Sequence, residues 1–225
     1  THKKYYIQGE GTNIVPPTFY DGLILKLEID HIRKNADTLS VGASHNWTEL
    51  VKFCINEKIN GFENLIDIPG SVGASPIQNI GAYGVELKDT FVSCETISLS
   101  NFATQTFLKS ECNFGYRDSI FKQQKDQYLI TNVTFKFTKR NHKLNINYGT
   151  ILSELELAGI KNPTIQDISK AVISIRESKL PNPKVIGNSG SFFKNPVISR
   201  TEFEKLLQNF PDAPSYSVSN NDVKV

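Results

Sequence analysis

The chain has 225 residues, enough for one large domain or two smaller ones, each with a true core. Its 25 Lys+Arg and 23 Asp+Glu leave a formal charge of +2 with the signs interspersed, which argues against a polyanion-binding surface and so against a nucleic-acid partner. Cys54, Cys94 and Cys112 form no C-x-x-C pair, the histidines are scattered, and no apolar run approaches the ~20 residues of a membrane span; disulfide framework, metal centre and membrane anchor are therefore not expected. A soluble, cytoplasmic protein is expected. The absence of methionine, even at position 1, points to a piece of a longer chain.

A strand over Tyr5 to Gln8 runs into GEGTN (9–13), and Pro16 and Pro17 then exclude a helix. A Rossmann turn needs a third glycine and a helix directly after it; Ile14 stands where that glycine belongs, so any nucleotide is held in another way. Strands are predicted at 22–29 and 39–43. Trp47, Leu50, Val51, Cys54 and Ile55 recur at helical spacing, and Asn60-Gly61 is expected to cap that helix. Next comes IPGSVGASPIQNIGAYG (68–84), with glycines at 70, 73, 81 and 84 and no charge. Backbone without side chains lets main-chain N–H groups approach a pyrophosphate or a flat ring, although a glycine-rich surface turn would read alike.

Further strands are predicted at 91–99 and 127–138, with Val133, Phe135 and Phe137 on one face. A composition shift near 141–147 marks a domain boundary. The spacing predicts a helix over 168–178 with Ile168, Val172 and Ile175 inward and Arg176 and Lys179 adjacent at its end. The capping box Ser199 to Glu202 starts a last helix, expected to bury Phe203, Leu206, Leu207 and Phe210 before Pro211 stops it. The class is α+β.

Two residues suit chemistry. Arg117, in FGYRDSIFK among Phe114, Tyr116 and Phe121, can clamp a carboxylate or lie on a ring, the ordinary alternative being a pair with Asp118. Ser191, between a glycine turn and Phe192-Phe193, can deliver a proton where water is excluded; without a G-x-S-x-G elbow or a His/Asp partner it is no hydrolase nucleophile, and the ordinary alternative is a turn serine. Arg176, Lys179, Lys184 and Lys194 form a cationic set suited to a diphosphate or simply to solvent. The residues alone stop at an α+β protein with anion-binding loops.

IPGSVGASPIQNIGAYG, CNFGYRDSIFK (112–122) and KLPNPKVIGNSGSFFKNP (179–196) together closely resemble the UDP-N-acetylenolpyruvoylglucosamine reductases, the MurB family, over nearly the whole chain. The tyrosine loop at Tyr148 resembles the longer, type I form. The resemblance implies an FAD-binding fold of the vanillyl-alcohol-oxidase-like (PCMH-type) group over 1–142, and a smaller α+β substrate-binding region over 143–225. It implies non-covalent FAD, NADPH as co-substrate, and reduction of UDP-N-acetylglucosamine enolpyruvate to UDP-N-acetylmuramate in peptidoglycan synthesis. Hydride passes from flavin N5 to C3 and a proton from Ser191 to C2, with Arg117 stabilising the charge that develops.

By the same resemblance Gly9, Gly11, Thr12 and Asn13 meet the FAD pyrophosphate, and Pro69, Gly70, Ala74, Ser75, Gln78, Asn79 and Gly81 lie near its ring and phosphates. Tyr148, Arg176, Lys179, Asn195, Tyr216 and Lys224 surround the nucleotide sugar. A monomer without metal is expected. The family's N-terminal segment and the C-terminal part with its catalytic glutamate have no counterpart in these residues, so impaired FAD binding and little turnover are expected of this chain alone. A related flavoenzyme with another substrate, or a non-catalytic nucleotide-binding fragment, are the competing readings.

Overall fold

The alternation of Val133, Phe135 and Phe137 is that of a half-buried strand, and the computed structural model, which describes residues 4–140, 142–148, 150–183, 185–188 and 193–225, buries all three. Two compact units are formed, Thr1–Ile186 and Gly187–Val225. In the first, β1 (Tyr5–Gln8) and β2 (Leu23–Lys26) pair in parallel, Tyr5 opposite Leu23. β3 (Ile32–Asn35) and β4 (Thr38–Gly42) make a hairpin, followed by α1 (Trp47–Asn56) and a two-residue-stranded hairpin of β5 (Gly81–Ala82) and β6 (Val85–Glu86). β7 (Phe91–Ser98), β8 (Thr104–Leu108), α2 (Ile120–Gln123), β9 (Tyr128–Lys136), α3 (Ile151–Leu157) and α4 (Ile165–Lys179) complete it. The main sheet, antiparallel throughout, has the order β3-β4-β9-β7-β8.

Its inner face and the helices enclose one core. Leu39 and Val41 from β4, Val133 and Phe135 from β9, Leu50 and Val51 from α1, and Ile168 and Val172 from α4 have no exposed surface. Trp47, Phe62 and Phe135 meet edge-on or tilted with ring centres 5.5 to 6.3 Å apart, and the Trp47 indole N–H donates to the Leu65 carbonyl, so the only tryptophan is buried without a stranded donor.

The end of α1 differs from expectation. The helix stops at Asn56; Lys58 takes the left-handed conformation (φ 56°), its N–H reaching Ile55 O at 3.2 Å while Ile59 N–H reaches Cys54 O at 2.7 Å. These paired bonds make a Schellman cap with lysine where glycine is usual, and the burial of Ile59 just beyond it turns the chain inward before Asn60-Gly61 is reached. α4 begins earlier than expected, at a capping box of Thr164 and Asp167. β3, β8, α2 and α3 carried no signal: β8, for example, buries only Phe107 of its five residues.

The compact units part at Ile186/Gly187, downstream of the composition shift at 141–147. Ile151, Leu155, Ile168, Val172 and Ile175 belong to the same core as the sheet, which ties the segment after 142 to the first unit. The second unit orders β10 (Val197–Ser199), β12 (Asp222–Lys224) and β11 (Tyr216–Ser217) side by side, with α5 (Arg200–Asn209) between β10 and β11 in the chain. Ser199 caps α5 with Glu202 in the expected box. The expected α5 face is only partly buried: Phe203, Leu206 and Leu207 are half-buried and Phe210, just past the helix, is 62 % exposed, because a three-stranded sheet offers little surface to cover it. Among the described residues no helix is long and apolar enough to cross a membrane.

Candidate active site

A cavity of about 820 Å³ opens in the first unit between GEGTN, the turn after β4, the glycine-rich run and the C-terminal side of α2. Gly9, Gly11, Thr12, Asn13, Pro69, Gly70, Ala74, Ser75 and Gln78 all line it. The walls are stitched by backbone: Trp47 N–H donates to Gly70 O, Val72 N–H to His45 O and Gly73 N–H to Ala43 O, each at 2.9 Å. GEGTN is held against this frame where Asn46, the α1 cap, donates its amide to the Glu10 carboxylate at 2.7 Å. Gly70 has φ 127°, a conformation L side chains rarely adopt.

The two glycine turns face each other. A Cβ on Gly9 would stand 3.2 Å from Ser71 Oγ, and one on Gly70 would stand 3.5 Å from Thr12 Oγ1. Among the described residues no acceptor takes a hydrogen bond from the backbone N–H of Glu10, Gly11, Thr12, Asn13, Gly70 or Ser71. Donors left uncommitted on both sides of a cavity are what a diphosphate requires, and apolar Ile77, Ile80 and Ile130 in its lining suit a planar ring. The donor set therefore fits a flavin dinucleotide.

Asn79 and Gly81 stand apart from that wall. Asn79 is wholly buried and its carboxamide is spent on the protein, so its side chain lies inside the fold and off the cavity lining. Gly81 opens the β5–β6 hairpin, which leaves the cavity through Ile80. The central residues of that hairpin, Tyr83 and Gly84, both have positive φ (50° and 78°), as a type I′ turn requires.

Three predicted side chains gather on this hairpin. The Arg117 guanidinium donates to the Gly81 carbonyl and lies 5.4 Å from the Tyr116 ring centre. Arg117 is the third residue of a tight turn closed by Gly115 N–H to Asp118 O (3.0 Å) and Asp118 N–H to Gly115 O (3.3 Å), and its φ of 53° costs an L residue about 1–2 kcal/mol. Lys122 secures the turn through a 2.8 Å bond to the Arg117 carbonyl. On the other side of the hairpin, a Cβ on Gly84 would stand 3.1 Å from Tyr148 Cβ. Burial pushes the Tyr83 phenol up, and the charge of Arg176, within electrostatic range of the hairpin, pulls against it. Lys179 is exposed at the end of α4.

In the second unit Tyr216 and Lys224 are cross-strand partners, the ammonium 4.9 Å from the ring centre, and Asn195 lies just before β10. Ser191, Phe192 and Lys184 lie outside the described residues.

Two anchors escaped sequence reading. Asn64, 1 % exposed, donates to Tyr83 O at 3.0 Å and Asn145 O at 2.8 Å, joining the hairpin to the segment that carries Tyr148. The buried Glu63 carboxylate accepts from Gly61 N–H (2.7 Å), Phe62 N–H (3.0 Å) and His142 Nε2 (2.8 Å). Burial pushes the Glu63 carboxyl up, but the His142 contact and the backbone donors outweigh it and hold it below its ordinary range. Adjacent Glu63 and Asn64 set between apolar Phe62 and Leu65 were the available signal. Burial pushes the Cys54 thiol up, and a bond to Cys112 together with burial does the same for Cys94, so neither is a nucleophile. Among the described residues no His/Cys/Asp/Glu cluster could hold a metal.

Residues 1–100 match the family model described as an FAD binding domain. The chain is similar, at 47 % identity over all of its length and 68 % of the relative's, to the UDP-N-acetylenolpyruvoylglucosamine reductase of Flavobacterium johnsoniae. It is 40 % identical, over 96 % of its length and 65 % of the relative's, to the Pseudomonas aeruginosa protein of that name. A crystal structure of UDP-N-acetylenolpyruvylglucosamine reductase from Thermus caldophilus superposes with a TM-score of 0.63 over 92 % of this chain and 68 % of that one, at 22 % identity, which bears on the fold alone. The chain thus spans about two thirds of the length of these relatives. The α+β, FAD-binding fold expected from the sequence is the one found.

Proposed function

Because the chain belongs to the UDP-N-acetylenolpyruvoylglucosamine reductase family, a family of FAD-dependent oxidoreductases, we propose that it is the flavin-binding and partly substrate-binding portion of an NADPH-dependent reductase. Its substrate is UDP-N-acetylglucosamine enolpyruvate, its product UDP-N-acetylmuramate, and its role cytoplasmic peptidoglycan synthesis. The observation that carries the reading is the cavity with uncommitted N–H groups on two facing glycine turns, continuous through Ile80 with the hairpin that holds Arg117.

GEGTN and Gly70-Ser71 would hold the FAD diphosphate, while Ile77 and Ile80 would flank the ring. Bound FAD supplies a hydride, taken from NADPH, to C3 of the enolpyruvyl group. Negative charge then grows toward the substrate carboxylate, and a permanent planar cation there stabilises the transition state more than the ground state. Arg117 has that role: the Gly81 carbonyl and the Tyr116 ring aim its guanidinium without neutralising it. Ser191 donates the proton to C2; a hydroxyl suffices as an acid because the carbon it meets is strongly basic. Tyr148, Arg176 and Lys179 serve the diphosphate, and Asn195, Tyr216 and Lys224 the nucleotide sugar.

The experiment is a spectral titration of the purified protein. Added FAD should bind and bleach with NADPH, and the colour should return when UDP-N-acetylglucosamine enolpyruvate is added without oxygen. In a protein of its relatives' full length, failure to bind FAD, or bleached flavin indifferent to the enolpyruvyl sugar, would refute the reading; weak FAD binding by this two-thirds chain alone would not. Flavin binding without reduction by NADPH would instead make the chain a binding portion only, a reading favoured by its two-thirds length.

A further inference from the structure

Arg117 occupies a backbone conformation that does not favour arginine, at the corner of a half-buried turn. Something must hold that corner. Its own two backbone bonds close the turn on itself without orienting it toward the hairpin. The guanidinium bond to Gly81 orients the side chain, but that side chain is the group said to be needed for substrate.

We infer that Asn79 is the positioning residue for Arg117, locking the turn and the β5–β6 hairpin together. Asn79 is wholly buried and both of its amide hydrogens are spent: one on Gly115 O at 2.9 Å, the first residue of the Arg117 turn, the other on Glu86 Oε2 at 3.1 Å, the last residue of β6. Its carbonyl accepts Lys88 N–H at 3.0 Å, just beyond the hairpin. One carboxamide therefore grips the base of the hairpin and the first residue of the turn, two pieces that are also bridged where the Arg117 guanidinium reaches the Gly81 carbonyl. The φ of Asn79 is 43°, left-handed, which asparagine tolerates better than other residues with side chains; the backbone kink and the amide are used together. No group other than an amide would serve, since the site asks for two donors and an acceptor on one short planar side chain.

The inference rests on the reductase reading for what Arg117 does, and on geometry alone for how it is held. Its test uses Asn79→Asp and Asn79→Gly, both compatible with the positive φ. Ionised aspartate at 79 would set negative oxygens against the Gly115 carbonyl and the Glu86 carboxylate; protonated, it could donate once and still accept from Lys88. The charged groups around it are Glu86, Lys88 and Asp89 on the hairpin side and Arg117, Asp118 and Lys122 on the turn side.

Three readouts are measured on the purified protein. FAD affinity should stay within about twofold, because the carboxamide is off the cavity wall. Turnover of the enolpyruvyl sugar should fall by about 100-fold in kcat with little change in KM, the scale of a slight misplacement of a reacting group. Relative to the unsubstituted protein, that loss should recede for Asn79→Asp as the pH falls and aspartate protonates, and should not recede for Asn79→Gly. Amide hydrogen exchange at Gly115 and Asp118 should quicken in both variants. Loss of FAD affinity matching the loss of kcat, the same pH profile in both variants, or unchanged exchange would overturn the inference. Should the unsubstituted protein bind FAD and never turn over the enolpyruvyl sugar, the reductase reading fails, and the exchange rates still decide whether Asn79 holds the turn.

Discussion

Glu63→Ala should be among the most destabilising single substitutions in the first unit. The carboxylate, 2 % exposed, takes three hydrogen bonds, at 2.7 and 3.0 Å from backbone N–H groups and 2.8 Å from His142. A bond to a charged group contributes about 1.5–3 kcal/mol, and removing one member of a buried pair costs about 3–5 kcal/mol. Two of the donors stranded by alanine are main-chain, one of them on buried Phe62, but the penalty of burying the charge vanishes too. The expected loss is about 4 kcal/mol. Glu63→Gln keeps both backbone bonds on its carbonyl and can meet His142 through the other tautomer, so about 1–2 kcal/mol is expected. Urea unfolding at neutral pH measures both. Because the folded-state carboxyl is held below its ordinary range, its contribution is full above that range and is lost as pH falls through the folded value. The gap between wild type and Glu63→Ala should thus narrow in acid. A loss under about 1 kcal/mol for alanine, or a gap that widens in acid, would refute this account of the site.

Gly73→Ala would put a methyl 2.6 Å from Ala43 Cβ and 3.1 Å from the Ala43 backbone, forcing apart the two turns that frame the cavity. FAD affinity should drop at least about tenfold and stability by about 1–3 kcal/mol, read by flavin titration and thermal melting. Lys58→Gly should raise stability by up to about 1 kcal/mol in urea titrations, since glycine occupies the left-handed cap without strain. Arg117→Lys should slow the enolpyruvyl half-reaction by about 100-fold or more in stopped flow, while bleaching by NADPH is nearly unchanged, because an ammonium lacks the planar fork.

Local pattern was enough wherever a residue's task concerns its own face or turn. Alternation in β9 announced Val133 and Phe135, three- and four-residue spacing announced α1, and the capping box at Ser199 started α5 where expected. The anion-suited turns at Gly9 to Asn13 and at Gly70 were legible because missing side chains are visible in a sequence, and Arg117 stood out among its aromatic neighbours. Lys58 as a cap, the union of 142–186 with the first core and the incomplete burial of the α5 face were not legible, because each depends on which surface lies opposite. The same holds for the polar anchors. Asn79 meets Gly115 across 36 residues and Asn64 meets Asn145 across 81, and an asparagine reads alike whether its amide faces solvent, a cofactor or a distant carbonyl. Composition and periodicity determined the class, the sheet strands of strong alternation and the glycine turns that line the cavity. Tertiary structure alone decided how Arg117 is held, since a buried carboxamide acquires its partners only when the chain closes around it.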